Sequence, residues 1–335
     1  MSIRITAVPR QLAPNSGFHP MTFAIRKKNQ VWAIPDQSEY IGQYSNIKFL
    51  LCDIKFLKKL FPIKIIRFFS LIEIFIRAIF SKEQMFYVHS FLFSLSVWAA
   101  RKEFILVIHG SDSKYLKKAI GKFLVHRANK IYGVGFKAIV DGVKIDEIPN
   151  VFMPLDTSFE KHNNKNVYDI LFVLRDAPVK NPSYPFLLFK NLPLEAGIKI
   201  GVIGLESKFL TPEEHIEISS SGNTNEIYYL GRCSFNNVER IMKKSKVFFL
   251  PSHSEGISKA MLEAMSAGLH VIASLELIVP NEFANYIKRV DLEDFESVLA
   301  KIKHCIEAGH SWENMNFSKN YLEKSIKTLD KFYNI

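Results

Sequence analysis

Two glutamates, two cations and one histidine, each following an apolar run, are the residues of this sequence best placed to do chemistry. Glu255 and Glu263 stand in PSHSEGISKAMLEAMSAGLHVIAS, residues 251–274, the first in a loop and the second inside the helix that follows. Each carboxylate can accept hydrogen bonds from hydroxyls. Between them, the amides of Gly256, Ile257 and Ser258 fall where that helix begins, and unsatisfied N–H groups at the positive dipole end favour a phosphate or another oxygen-rich ligand. Arg175 and Lys180 follow the strand DILFVL, and two cations at a strand's carboxyl end can offset negative charge on a departing group. His109 closes the strand FILVIH, where a neutral imidazole can hydrogen-bond an oxygen, and Ser111 and Asp112 come directly after it. Asp112 can equally cap the next helix.

The elements that must position these residues alternate. Strands are expected at Ile3–Val8, Val31–Ile34 and Lys48–Leu51, with a Pro/Asn/Ser/Gly loop at Pro14–Gly17. From Phe86 the pattern runs strand (FYVHS), helix (FLFSLSVWAARK), strand (FILVIHG), helix (SKYLKKAIGKFLVHRA) and strand (KIYGVG), ending in the turn Ile148-Pro149-Asn150. The polar stretch Glu160–Asn166 reads as a linker. A second block repeats the alternation, with strands at Ile170–Leu174, Lys199–Ile203, Ile227–Leu230, Lys246–Leu250 and His270–Ala273, and helices at Asn237–Lys244 and Ile257–Ala267. The pattern predicts two doubly wound α/β domains, with ligands at the carboxyl ends of their strands. Residues 1–160 form the first, joined by an amphipathic terminal helix at about 315–335, and residues 165–312 form the second.

Composition narrows the functional classes. With 335 residues, 48% hydrophobic and 23% charged, the chain can bury two cores. Cys52, Cys233 and Cys305 lie far apart with no CxxC pair, which excludes a zinc or thiol-redox signature and fits a reducing compartment. The first residues have no cationic segment followed by an apolar core, so a cytoplasmic location is expected. The net charge of +11 sits in residues 1–150, which hold 23 Lys/Arg against 10 Asp/Glu. Such a field implies an anionic partner. Nucleic acid is not expected to be that partner, because the cations lie among aliphatic runs with no recognition motif or stacking platform.

Residues 54–82, IKFLKKLFPIKIIRFFSLIEIFIRAIFSK, mix Phe and Ile with Lys or Arg every few positions. No run there is long enough to span a bilayer. The pattern suits a helix lying in the headgroup region of an anionic membrane, or a core-packed helical pair with snorkelling lysines.

The pattern PS-x-x-EG-x(6)-EAM-x-AG-x-x-VIAS closely resembles the donor-binding motif of family 4 retaining glycosyltransferases, over about 25 residues. Arg175 and Lys180, His109 and the Ile148-Pro149-Asn150 turn resemble features of the same family. The resemblance implies a GT-B architecture, two Rossmann-like domains with a cleft between them and a C-terminal helix crossing back. It implies that Glu255 contacts donor-sugar hydroxyls, Glu263 the nucleotide ribose, Arg175 and Lys180 the donor diphosphate, and His109 the donor sugar. Gly256, Ile257, Ser258 and Gly17 fall on the donor side, and Ser111 and Asp112 on the acceptor side. The chain departs from the family pattern in having only Gly17 in its first loop and no glycine between Gly268 and Gly309. The implied activity is retaining transfer of a sugar from a nucleoside diphosphate sugar, a co-substrate rather than a cofactor, to a glycan or lipid-linked acceptor of cell-envelope polysaccharide, lipopolysaccharide or capsule synthesis. No DxD-type cluster is present, so no metal is expected. The protein would sit peripherally on the inner face of the membrane through residues 54–82. A GT-B scaffold that binds a nucleotide sugar or a partner transferase without turnover is the alternative.

Overall fold

The computed structural model describes residues 6–8, 31–33, 47–49, 63–109, 115–152, 168–206, 224–255, 257–277 and 279–333. Gly17, Gly110, Ser111, Asp112 and Gly256, like residues 54–62 and the stretch Glu160–Asn166, lie outside the described residues. The chain divides into two compact units, Met1–Met153 with Glu323–Ile335, and Pro154–Leu322.

In the first unit, strands β1 (Thr6–Val8), β2 (Val31–Ala33), β3 (Ile47–Phe49), β4 (Met85–Val88), β5 (Glu103–Ile108), β6 (Lys130–Val134), β7 (Ala138–Val140) and β8 (Val143–Ile148) form one sheet in the order β3-β2-β1-β4-β5-β6-β8-β7. All neighbours are parallel except the β7–β8 hairpin. Its two-residue turn is Asp141-Gly142, both with positive φ, the backbone that matches the twist of paired strands. Strand β5 is buried from Phe104 to Ile108, as an interior parallel strand covered on both faces must be.

Helices α1 (Ile63–Phe80), α2 (Phe91–Ala99) and α3 (Ala119–Arg127) accompany this sheet. The core joins Ile74 and Ala78 of α1 to Phe86, Val88, Phe104, Leu106, Val97 and Leu124. The serines of α2 are buried but satisfied. Ser94 Oγ donates to the Phe91 carbonyl at 2.8 Å, and Ser96 Oγ to the Leu71 carbonyl at 2.9 Å, tying α2 to α1. Ser70, Ile74 and Ala78, one turn apart, give α1 its inward stripe, while Ile65, Phe68, Phe69, Ile72, Ile76, Ile79 and Phe80 remain exposed. Within Ile63–Phe80, α1 packs on the core by a narrow stripe and leaves a broad apolar face exposed. No helix among the described residues is long and apolar enough to cross a membrane.

The second unit carries a six-stranded parallel sheet of β9 (Tyr168–Val173), β10 (Lys199–Ile203), β11 (Glu226–Gly231), β12 (Ser245–Leu250), β13 (His270–Ser274) and β14 (Ile287–Val290), in the order β11-β10-β9-β12-β13-β14. Its helices are α4 (Tyr184–Asn191), α5 (Phe235–Lys243), α6 (Lys259–Ser266) and α7 (Phe295–Ala308). Phe172, Phe249 and Tyr184 stack at the centre of a core that includes Ile170, Ile200, Val247 and Ile302. The last helix, α8 (Trp312–Tyr333), starts in this unit, and its residues from Glu323 onward group with the first.

Strand order reverses where β9 meets β12. Chain succession runs outward from β9 through β10 to β11, then returns to the other side of β9. At such a switch point the loops after the two central strands diverge and leave a crevice at their carboxyl ends.

Candidate functional site

The switch point of the second unit is where the sequence's cations and first glutamate converge. Arg175 follows β9 and is exposed. A 3₁₀ turn at Pro178–Lys180 ends on Asn181 in the left-handed region and brings Lys180 back over the sheet edge. Lys180 Nζ forms an ion pair with Glu255 Oε1, across 75 residues of sequence but only one strand of sheet. Ser252 Oγ donates to the other carboxylate oxygen at 3.4 Å, and the His253 amide donates to the Val179 carbonyl at 3.0 Å, so the two loops are pinned by backbone as well as charge. The pair is largely buried, at 16% and 19% side-chain exposure, which strengthens the attraction over that of a surface pair.

Gly204 makes the neighbouring strand end possible. Its φ is +94°, and a Cβ there would lie 1.9 Å from the Leu174 carbonyl oxygen, just before Arg175. Only glycine allows that approach.

Beyond Glu255 the chain enters α6. Ser258 occupies its N-cap position and is buried, and its hydroxyl makes no capping bond. Ile257 is half-buried beside it. The helix ends as its sequence demands: Gly268 takes φ +79° and donates to Met265, while Leu269 donates to Ala264, closing a Schellman motif. Glu263 lies within α6 at 8% exposure. Burial pushes its carboxyl up from 4.5 to about 7, and the Lys259 ammonium one turn earlier pulls the other way. Burial in turn lowers the Lys259 pKa, and Glu263 raises it.

After β13, where no glycine is available, Arg289 organises the turn. Its Nε donates to the Ser274 carbonyl at 3.1 Å, and its Nη2 to the carbonyls of Leu275 and Leu277 at 2.6 and 2.5 Å. Glu276 of that turn meets His253 Nδ1 at 2.8 Å.

In the first unit, the switch point lies between β1 and β4, and His109 sits half-buried just past β5. Its Nε2 is 3.1 Å from Nδ1 of His89, a buried residue just past β4. Burial first and the His109 charge second hold the His89 pKa well below 6.5.

The structure therefore joins Lys180 to Glu255, leaves Arg175 exposed two residues past the end of β9, and places Ile257 just before α6, Ser258 at its N-cap and Glu263 within it. Sequence reasoning passed over Ser252, Lys259, Arg289 and His89. Lys259 is one turn from Glu263 and carried a signal in its i, i+4 spacing; the others are defined by neighbours distant in sequence. Among the described residues, no group of three His, Cys, Asp or Glu side chains is gathered as for a metal ion.

Residues 156–317 match the family of glycosyl transferases group 1. No curated protein matches the sequence. Solved structures match it closely in fold. The Anabaena protein Alr3699/HepE in complex with UDP-glucose aligns at TM-score 0.65 and 13% identity over 98% of both chains. The lipopolysaccharide outer core galactosyltransferase WaaB aligns at 0.62 and 15% identity, also over 98% of both. Sucrose-phosphate synthase from Thermosynechococcus elongatus aligns at 0.61 and 13% identity, over 99% of this chain and 95% of that one. Residues 156–317 thus resemble the glycosyl transferases group 1 in sequence, and the two parallel-sheet units have the fold of GT-B glycosyltransferases.

Proposed function

We propose that the protein is a retaining, metal-independent glycosyltransferase that moves a sugar from a nucleoside diphosphate sugar to a hydroxyl of a lipid-linked or polysaccharide acceptor in cell-envelope glycan synthesis. The observation that carries the reading is the Lys180–Glu255 ion pair at the β9/β12 switch point, a few residues before the start of α6. A cation, a carboxylate and helix N–H groups in one crevice match a ligand with a diphosphate at one end and hydroxyls at the other. With no donor bound, Lys180 and Glu255 neutralise each other. When the donor enters, Lys180 turns to the diphosphate with Arg175, and Glu255 accepts from the sugar hydroxyls.

In the reaction the bond from the anomeric carbon to the diphosphate oxygen breaks and the bond to the acceptor oxygen forms on the same face. The acceptor proton passes to the departing phosphate oxygen, and no side chain becomes a covalent nucleophile. Arg175, Lys180 and the amides of Gly256, Ile257 and Ser258 stabilise the leaving charge. Glu263 accepts from the ribose, and His109 hydrogen-bonds the donor sugar. Gly17 belongs to the donor side, and Ser111 and Asp112 to the acceptor side.

The outward face of α1 supports a peripheral position on an anionic membrane, the cytoplasmic leaflet in this reading. Seven exposed Ile and Phe side chains line it, and residues 63–130 hold twelve Lys/Arg against four Asp/Glu. That location fits a lipid-linked acceptor.

The test is a thermal-shift panel of UDP-, GDP-, ADP- and CMP-sugars with chelator present, followed by donor hydrolysis. One nucleotide class should raise the midpoint, and Glu263→Ala should abolish the rise. No shift with any donor would leave a non-catalytic scaffold as the better reading.

A further inference from the structure

We propose that Arg289 is a positioning residue for the loop that carries Glu255, acting through the turn after β13 and the Glu276–His253 pair. What this does for a donor sugar rests on the function proposed above; the chain of contacts itself does not.

The contacts run along the carboxyl edge of the second sheet, from its outermost strand to the switch point. β14 is the edge strand, and its Arg289 pairs with Ala273 of β13. β13 in turn pairs with β12, Ala273 opposite Leu250, so the segments leaving the two strands lie side by side. With no glycine between Gly268 and Gly309, one guanidinium gathers the turn after β13. Arg289 donates to the carbonyls of Ser274, Leu275 and Leu277, in bonds strengthened by its charge and directed by its planar fork. The amides of the same turn are also used within the protein. Leu275 donates to the Val290 carbonyl at 2.7 Å, Glu276 to Ser274 Oγ at 3.1 Å, and Leu277 to the Ser274 carbonyl at 3.3 Å, while the Leu277 side chain is buried.

A turn held by its carbonyls, its amides and one side chain has a fixed backbone, so the Glu276 carboxylate starts from a fixed point. It meets His253 Nδ1 at 2.8 Å. An ionised carboxylate only accepts, so this nitrogen donates. His253 lies in the loop after β12. Its neighbour Ser252 donates to Glu255, and its own amide donates to the Val179 carbonyl, next to Lys180. The segments at the ends of four strands are thereby joined in order, β14 to β13 to β12 to β9, and the last link is the Lys180–Glu255 pair. The His253–Glu276 pair is exposed, at 47% and 56%, which makes it the weakest link and the one that sets how strongly Arg289 acts on Glu255.

Amide hydrogen exchange of the unliganded full chain, resolved to single residues, tests these contacts without any donor. Arg289→Met should speed exchange at Glu276 and Leu277 by at least about tenfold and at His253 by about threefold. Glu276→Ala should also speed exchange at His253 by about threefold, and leave Leu277 unchanged. An unaltered His253 in either variant overturns the proposal; should Arg289→Met fail to fold, the Glu276→Ala result decides, since that side chain is exposed. The functional arm uses the nucleotide sugar selected by the thermal-shift panel and its nucleoside diphosphate. Each single variant should weaken the nucleotide sugar about threefold and leave the nucleoside diphosphate unchanged, and the double variant should lose no more than Arg289→Met. Losses that multiply in the double variant, or equal loss of both ligands, would overturn the positioning role. The expected exchange pattern in a protein that binds no nucleotide sugar would instead overturn the proposed function and leave the chain of contacts standing.

Discussion

Glu263 should make donor affinity and protein stability run in opposite directions with pH. Its carboxyl is pushed from 4.5 to about 7 by burial within α6. A raised folded pKa favours the protonated form, so its contribution to stability is fully present below 4.5 and is lost as pH rises through about 7. The difference between the two values amounts to about 3 kcal/mol. In a unit of this size that corresponds to roughly 6–12 °C in Tm. His89 and His270, both held below 6.5, act with the opposite sign as pH falls. Above 6.5 the loss belongs to Glu263 rather than to them.

A carboxylate accepts from ribose hydroxyls and a carboxylic acid does so poorly, so the donor selects the ionised form. With a pKa of about 7, roughly a tenth of the protein is competent at pH 6 and nine-tenths at pH 8, which makes apparent affinity about tenfold tighter at the higher pH. The ligand must be a nucleotide sugar, because the terminal phosphate of a free nucleoside diphosphate titrates in the same range. Calorimetric titration at pH 6, 7 and 8, with matched thermal melts of the unliganded protein, measures both slopes. Glu263→Gln should flatten both. If affinity still rises tenfold in Glu263→Gln, or if the melts of wild type and variant stay parallel from pH 6.5 to 8, the assignment of Glu263 is wrong.

Lys180→Met and Glu255→Ala should each lower turnover by about two to three orders of magnitude in a donor-hydrolysis or transfer assay, as removal of a charge-stabilising contact does. Gly204→Ala should destabilise the second unit by about 3 kcal/mol, through strain at positive φ and collision with the Leu174 carbonyl, read from urea unfolding followed at that unit. Replacing Phe68 and Phe69 together by Ser should reduce co-sedimentation with vesicles containing anionic lipid by at least about tenfold while leaving Tm unchanged, since both rings are exposed in the folded chain. Unchanged sedimentation would remove the membrane role of α1.

The alternation of strands and helices was legible because interior parallel strands such as EFILVI and SKVFFL are apolar runs bounded by polar turns, and because Gly268 marked its helix end. Less legible were elements whose signal is short or tertiary. The β7–β8 hairpin was announced only by Asp141-Gly142 between two short runs. Helix α3 starts at Ala119 rather than six residues earlier, and Gly121 lets the Tyr115 carbonyl approach where a Cβ would stand 1.9 Å away. In the site, each residue's type was readable but the pairing was not. Nothing local says that Lys180 reaches Glu255; that follows from β9 and β12 being neighbours at a reversal of strand order. His89 was invisible as a partner for the same reason, since a histidine ending one strand acquires meaning only from the histidine ending the next.

The path of α8 has a consequence for how the molecule is made. The second unit is complete at Leu322, while the first, begun at residue 1, takes its final piece from Glu323–Ile335, including the fully buried Leu329. The contiguous second unit therefore closes within one stretch of chain, whereas the first must join segments separated by the whole of the second, at a higher cost in loop-closure entropy.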